Sequence, residues 1–344
     1  RSLCDWSSDV CSSDLPLKAL SNQKLRDFRE QFGPERVGLL TGDLSVNREA
    51  SIVVMTTEIF RNMLYAEIDH PDDDPLDGVE TVVLDECHYM NDSQRGTVWE
   101  ESIIHCPSPI QLVALSATVA NAGQLTDWIE RVHGPTRLVH SDHRPVPLAF
   151  SFCSAKGLHP LLNEEGTGLH PNCKVWRPPK TTRRKGADRS PKPPQPEAPP
   201  LGFVVAQMAD RDMLPAIYFI FSRRGCDRAV RALGNACLVS KDEQARIQAR
   251  LEVFVATTPE AVREGHADPL LRGIASHHAG VLPAWKELIE ELFQQGLIKV
   301  VFATETLAAG INMPARATVI SALSKRTERG HRPLMGSEFL QMAG

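Results

Sequence analysis

The chain has 344 residues, 42% hydrophobic and 24% charged, which supplies enough apolar material for two cores and excludes a disordered or fibrous class. Its formal charge of −5 rules out a globally basic protein, yet a basic groove can sit on a mildly acidic surface. Eight scattered cysteines, none paired at Cys-x₂₋₄-Cys spacing, argue against structural zinc and for a reducing, cytoplasmic type of compartment, and no apolar run is long enough for a membrane-spanning helix.

Residues 1–15 repeat a Ser-Ser-Asp-Val/Leu unit and match no periodicity. They lack the basic start and apolar middle of a secretory signal. They read as translated sequencing-adapter sequence joined to a truncated gene, non-native and outside the fold. From Pro16 a helix is expected, continuing through Phe28 and Phe32 at i, i+4 spacing. Residues 37–40 form a short strand ending in Thr41-Gly42-Asp43, a turn whose amides and hydroxyl suit a phosphate. Residues 51–55 are another strand, and Thr56-Thr57-Glu58 then opens a helix carrying Ile59, Phe60, Met63 and Leu64 inward. Such a helix start is an anion site by geometry, although each of these features is also an ordinary βα turn.

Residues 81–84, Thr-Val-Val-Leu, are of the type found in a strand buried on both faces of a parallel sheet. They run into Asp85 and Glu86, with His88 two places on. Ligands of open α/β sheets bind at the carboxyl ends of the strands. Two acids there suit nucleoside triphosphate hydrolysis, one holding Mg²⁺ through its water shell and the other handling the attacking water. By itself, Asp-Glu-x-His could equally be a surface turn. After a helix over 98–104 and a strand over 111–115, Ser116-Ala117-Thr118 arrives at the same sheet edge through one crossover. These hydroxyls can bond to His88 or the acids, or simply cap a helix over 124–132.

Between Lys174 and Lys192 lie eight Lys/Arg against one acid, Asp188, and prolines crowd from Pro191 to Pro200, the composition of a basic, Pro-rich linker. A second α/β unit follows. Its strand over 216–221 ends in Ser222-Arg223-Arg224-Gly225-Cys226 and a helix. His277-His278 precedes an amphipathic helix over 283–295, started by Pro283, stopped by Gly296, with Trp285, Leu288, Ile289, Leu292 and Phe293 inward. The paired histidines have no third ligand nearby and read as a loop contact rather than a metal site. A strand over 299–302 leads into Thr304–Pro314, another covers 318–321, and the chain ends at Gln341-Met342-Ala343-Gly344.

The order of these segments resembles the superfamily-two DExH-box RNA helicases, in the superkiller-like branch that assists the exosome in RNA decay and processing. The matching segments are 16–24, Thr41-Gly42-Asp43, 56–65, Asp85-Glu86-Cys87-His88-Tyr89, Ser116-Ala117-Thr118, 221–226, 277–283, 304–315 and 341–344. The resemblance implies an α/β fold of two RecA-like parallel-sheet domains, 16–150 and 213–344, joined by a linker over 151–212. It implies ATP and Mg²⁺ as cofactors, with Asp85 on the metal and Glu86 on the water. His88, Ser116 and Thr118 would couple nucleotide to nucleic acid. Lys18, Thr41, Gly42, Thr57 and Glu58 would follow the RNA backbone in the first domain, and Ser222, Arg223, His278, Thr304 and Glu305 in the second. Gly310 and Asn312 would lie near the nucleotide, and Gln341 would face the γ-phosphate. The implied activity is 3′–5′ translocation along, and unwinding of, RNA with a single-stranded tail or overhang, among RNA-decay partners and away from membranes. A DNA repair helicase of the neighbouring branch and a non-catalytic RNA-binding scaffold remain alternatives.

This sequence departs from the pattern in two places. No Gly-Lys dipeptide occurs anywhere, so the phosphate-cradling Gly-x-x-x-x-Gly-Lys-Ser/Thr loop is missing where it would precede Pro16. The last motif also stops before the arginines that would stabilise transition-state charge. The expectation is an internal fragment of a larger enzyme, with negligible ATPase activity by itself.

Overall fold

A computed structural model describes residues 2–5, 16–42, 44–69, 75–87, 90, 96–116, 121–141, 143, 146–173, 198–308, 313–327 and 330–344. The first half runs β1 (Ser2–Asp5), α1 (Pro16–Phe32), β2 (Val37–Leu40), β3 (Ser45–Val46), β4 (Ile52–Met55), α2 (Thr57–Asp69), β5 (Thr81–Leu84), α3 (Gly96–His105), β6 (Gln111–Ala114) and α4 (Ala122–Val132). Its six strands lie in the order β3-β2-β4-β1-β5-β6, all parallel except β3, which pairs antiparallel with β2. Val37, Leu39, Val53, Val54, Val82 and Leu84 are almost fully buried, as continuous apolar strands covered on both faces must be. Phe60, Leu64, Trp99 and Ile103, from α2 and α3, close one face over Val53, Met55 and Leu84.

The second half opens with the antiparallel hairpin β7 (Ser151–Ser154) and β8 (Gly157–Pro160), followed by α5 (Leu201–Ala209), β9 (Ala216–Phe219), α6 (Arg223–Ala232), α7 (Lys241–Thr257) and α8 (Ala267–Leu270). Then come β10 (Ile274–His277), α9 (Pro283–Gln294), β11 (Val300–Ala303), β12 (Ala317–Ile320), the hairpin β13 (Ser324–Thr327) and β14 (Gly330–Pro333), and α10 (Gly336–Ala343). The sheet order β10-β11-β9-β12 is parallel throughout. Trp285, Leu288, Ile289, Leu292 and Phe293 are all buried, so the apolar stripe of α9 is seated as its periodicity requires. Two parallel-sheet α/β units are therefore present, as expected.

Two segment expectations need correction. Residues 1–15 do not all lie outside the fold, because Ser2–Asp5 forms a strand between β4 and β5. The physical reason is ladder pairing: without β1 those two strands would face each other with unpaired amides and carbonyls inside the sheet. The linker is also shorter than 151–212. At its start stands the β7–β8 hairpin, and at its end Val204, Val205 and Met208 of α5 pack with Ala216, Tyr218 and Cys226. A run of apolar residues at helical spacing was there to be buried, and the prolines beside it masked the signal. The basic run itself, within 174–197, lies outside the described residues.

Candidate active site

Parallel pairing places Thr41, Gly42, Thr57, Asp85, Glu86 and Ser116 on one edge. Leu40, Met55, Leu84 and Ala114 are level across the sheet, each the last residue of its strand. Thr41, Thr56, Asp85 and Leu115 follow them, and Gly42, Thr57, Glu86 and Ser116 come next. At about 4.8 Å per strand, the Thr56-Thr57-Glu58 segment stands roughly 10 Å from the acids and Thr41-Gly42 roughly 14 Å.

The turn at the acids is tightly held. Glu86 adopts φ 54, the left-handed region that a non-glycine residue enters at a cost of about 1–3 kcal/mol, and its amide donates to Asp85 Oδ1 at 2.9 Å. The Cys87 amide donates to the Leu115 carbonyl and the Leu115 amide to the Leu84 carbonyl, both at 2.8 Å. Cys87 is buried beneath the turn, its thiol toward the Leu84 carbonyl. Both acids remain half-buried. The backbone that carries them is thus stitched to the residue just before Ser116, so a shift of one moves the other. A half-buried carboxylate at a strand end fits Mg²⁺, which keeps most of its waters and asks little of the protein.

Two expected contacts differ from what the side chains do. Thr57 is fully buried and its hydroxyl has no partner, so at the first turn of α2 it is the backbone amides, and the half-buried Glu58, that reach outward. His278 is 2% exposed, and both ring nitrogens are engaged. Its Nε2 lies 3.0 Å from Asp227 Oδ1, and its Nδ1 accepts the Gly280 amide at 3.1 Å. It shapes its loop instead of facing a ligand. Lys18 sits in the first turn of α1. His88, Thr118, Gly310 and Asn312 lie outside the described residues.

In the second unit, His277, Ala303, Phe219 and Ile320 end their strands level. His278, Thr304 and the Ser222–Arg223 helix start therefore share one edge. Ser222 caps α6, its hydroxyl accepting the Gly225 amide at 3.2 Å. A Cβ on Gly225 would stand 2.7 Å from the Ile220 side chain, so the close approach of helix and strand requires glycine there. Arg223 is exposed. Thr304 shares a hydrogen bond with Thr306 at 2.9 Å, and Glu305 accepts Lys325 Nζ at 2.5 Å. Gln341 is half-buried on α10.

Sequence reasoning missed two charged clusters. Asp227 on α6 receives Arg263 through two nitrogens at 3.1 and 2.7 Å, the Ser276 hydroxyl at 3.3 Å, and His278. Burial would raise its pKa, but the His278 and Arg263 hydrogen bonds outweigh that and hold it below the ordinary carboxylate range. Burial lowers the pKa of His278 and of His266 against the pull of Asp227. The second cluster joins Lys325 to both Glu305 and Glu338, at 2.5 and 2.9 Å, with Arg332 also on Glu338. Burial opposes ionisation of Glu338, yet hydrogen bonds from Arg332, Lys325 and the Met335 amide hold its pKa down to about 2. The partners of Asp227 are far apart in sequence, and only the single acid among the arginines of α6 hinted at that cluster. Among the described residues no group of three metal-ligating side chains occurs, and His277 bonds Glu290 at 2.7 Å.

Residues 14–125 match the family model of the DEAD/DEAH box helicases. Over 96% of its length the chain is 46% identical to DExH-box ATP-dependent RNA helicase DExH15 chloroplastic of Arabidopsis thaliana, covering 31% of that protein. It is 40% identical to Superkiller complex protein 2 of Homo sapiens over 96% of its length and 27% of that protein, and 37% identical to Exosome RNA helicase MTR4 of Mus musculus over 96% and 32%. The chain spans about a third of the length of these relatives.

Proposed function

The chain belongs to the DEAD/DEAH box helicase family, among its superkiller-like DExH members, and from that we propose that it serves as the motor core of an ATP-dependent RNA helicase moving 3′–5′ in RNA decay or processing. The observation that supports this best is the Asp85–Glu86 turn at the carboxyl edge of β5, fastened through Cys87 to the backbone leading into Ser116. ATP would bring the scissile phosphoanhydride, and Mg²⁺, when bound, would neutralise charge on it. Glu86 takes the proton of the attacking water. Asp85 would hold the water shell of Mg²⁺. His88, Ser116 and Thr118 sense the occupant of that edge, while Gly310, Asn312 and Gln341 meet the nucleotide from the second unit, 201–344.

RNA is the proposed track, read through its phosphates by Lys18, Thr41, Gly42, the start of α2, Ser222, Arg223 and the Thr304-Glu305 turn. Such contacts are indifferent to sequence and weaken with salt. His278 acts as a positioning residue for this edge. The relatives named for superkiller and exosome work support RNA-decay machinery as partner. A reducing compartment, cytoplasm or organelle interior, is proposed from eight cysteines scattered without paired spacing. Among the described residues no helix is long and apolar enough to cross a membrane.

The test is nucleic-acid-stimulated ATP hydrolysis by the whole protein. Glu86→Gln is expected to lower the rate about 10²–10⁴-fold, the scale of general-base loss, with RNA affinity unchanged. Stimulation by DNA alone would select the repair-helicase alternative, and RNA binding without any hydrolysis would select the scaffold.

A further inference from the structure

On a chain of net charge −5, the ten residues of α6 carry four arginines and one acid. That acid, Asp227, is already taken by Arg263 and His278, so it neutralises none of the four. Arg224, Arg228 and Arg231 stand at i, i+4 and i+7, which puts them on one stripe of the helix, and all three are exposed. The opposite face, Cys226, Ala229 and Val230, is buried. Among the described residues, none of the three arginines makes an ion pair. Within the stripe, Arg228 Nε donates to the Arg224 carbonyl at 3.3 Å, which leaves the guanidinium charge uncompensated.

We propose that the outer face of α6 is a phosphate track, continuing the path of a nucleic-acid strand beyond Ser222 and Arg223 along the side of the second unit. The stripe begins where the strand-end edge stops, since Arg223 and Arg224 are adjacent. It runs about 10 Å along the helix axis, close to three nucleotides at a ~3.4 Å rise per strand. Guanidinium groups are weakly hydrated and suit phosphate oxygens through a rigid fork of donors. A stripe of bare charges without aromatic side chains between them suits backbone rather than bases, so the track tolerates any sequence. The proposal rests on RNA binding at the neighbouring edge and adds residues beyond it.

The experiment measures fluorescence anisotropy of labelled oligouridylates of eight and twenty nucleotides with the 344-residue chain across a salt series. Arg224→Gln, Arg228→Gln and Arg231→Gln together are expected to weaken the twenty-mer and leave the eight-mer nearly unchanged. The slope of log affinity against log salt for the twenty-mer should shrink by about 2, at ~0.7 for each phosphate neutralised on a single strand. The single Arg228→Gln should give about a third of that change. Arg246→Gln, on the exposed face of α7, is the control for net charge and should leave the slope alone. An unchanged slope in the triple variant overturns the track, as does an equal change in the control. Loss of polyglutamate binding without loss of RNA binding assigns the stripe to an acidic protein partner and also overturns it. If the triple variant matches the unsubstituted chain while Ser222→Ala weakens both oligonucleotides, the track falls and RNA binding at the edge stands. A chain that binds neither oligonucleotide sinks both readings.

Discussion

Asp227 is the residue on which the second unit's edge turns. One carboxylate gathers Arg263 from one stretch of chain and Ser276 and His278 from another, with 16% of its side chain exposed. Removing its charge leaves a half-covered guanidinium without its counter-ion and one acceptor oxygen fewer for Arg263 and His278, so Asp227→Asn is expected to destabilise that unit by about 3 kcal/mol, read from urea unfolding. The pH dependence has a definite sign. Both His278 and His266 have pKa values lowered in the fold, so the unfolded chain takes up protons first as pH falls, and stability drops below about 6.5, the unperturbed histidine value. Asp227, also lowered, adds its own loss once the pH falls below the ordinary aspartate range. Melting temperature should fall between pH 7.5 and pH 5.5, with a shallower fall in His278→Asn; a flat profile in the parent chain would remove the histidines from the account. Beyond a lone acid among arginines, this was not legible in sequence, because the partners of Asp227 lie 36, 49 and 51 residues away. Asp85 and Glu86, by contrast, are adjacent and follow an apolar strand, so one stretch of ten residues suggested them, and the order of the other segments weighed against a mere surface turn. What it could not carry was the left-handed turn at Glu86, which depends on the neighbouring strand's carbonyl.

At the scale of elements, the hairpin β13–β14 matters for what it connects. Lys325, with 14% of its side chain exposed, lies between Glu305, which follows β11, and Glu338, on the helix bearing Gln341. Burial would lower the Lys325 pKa, but the two glutamates outweigh it and raise the value. Lys325→Met should therefore uncouple α10 from the Thr304 turn, releasing α10 to faster amide hydrogen exchange, while Lys325→Arg restores protection; equal protection in Met and Arg variants would show the ion pairs to be incidental. A second element-level dependence sits at Gly38. A Cβ there would lie 2.1 Å from the Asn47 carbonyl oxygen, backbone that cannot move aside without breaking the β2–β3 pairing. Gly38→Ala is expected to cost about 1–3 kcal/mol by overpacking, measured by denaturant titration of the first unit. Period and punctuation made α9 legible, since Pro283 starts it and Gly296, at φ 69, ends it. The same signals failed for α5, whose apolar residues are separated by the prolines around them from any recognisable start.

The molecule as a whole divides along its cores. Every residue of the two clusters in the first unit falls between Leu25 and Ile129, and every buried residue of the two in the second falls between Val204 and Met342. With no core shared among the described residues, each unit holds its own apolar burial, and the two should unfold independently. Calorimetry of the 344-residue chain is expected to give two transitions, of which Asp227→Asn lowers only one. A single transition shifted as a block would mean that packing between the units, rather than within them, sets stability. This independence also bears on the work proposed for the chain, because a motor must let its halves move against each other while nucleotide is exchanged. These residues hold the acids proposed to act on the metal and the water but no Gly-Lys-Ser/Thr loop to cradle the phosphates. Phosphate grip and water activation are separable, and transition-state charge needs both. The 344-residue chain alone should accordingly bind oligouridylate and yet hydrolyse ATP no faster than its Glu86→Gln variant. Turnover that exceeds the variant's would place the phosphate grip in residues already present, and the role given to Asp85 and Glu86 would then have to be rebuilt around them.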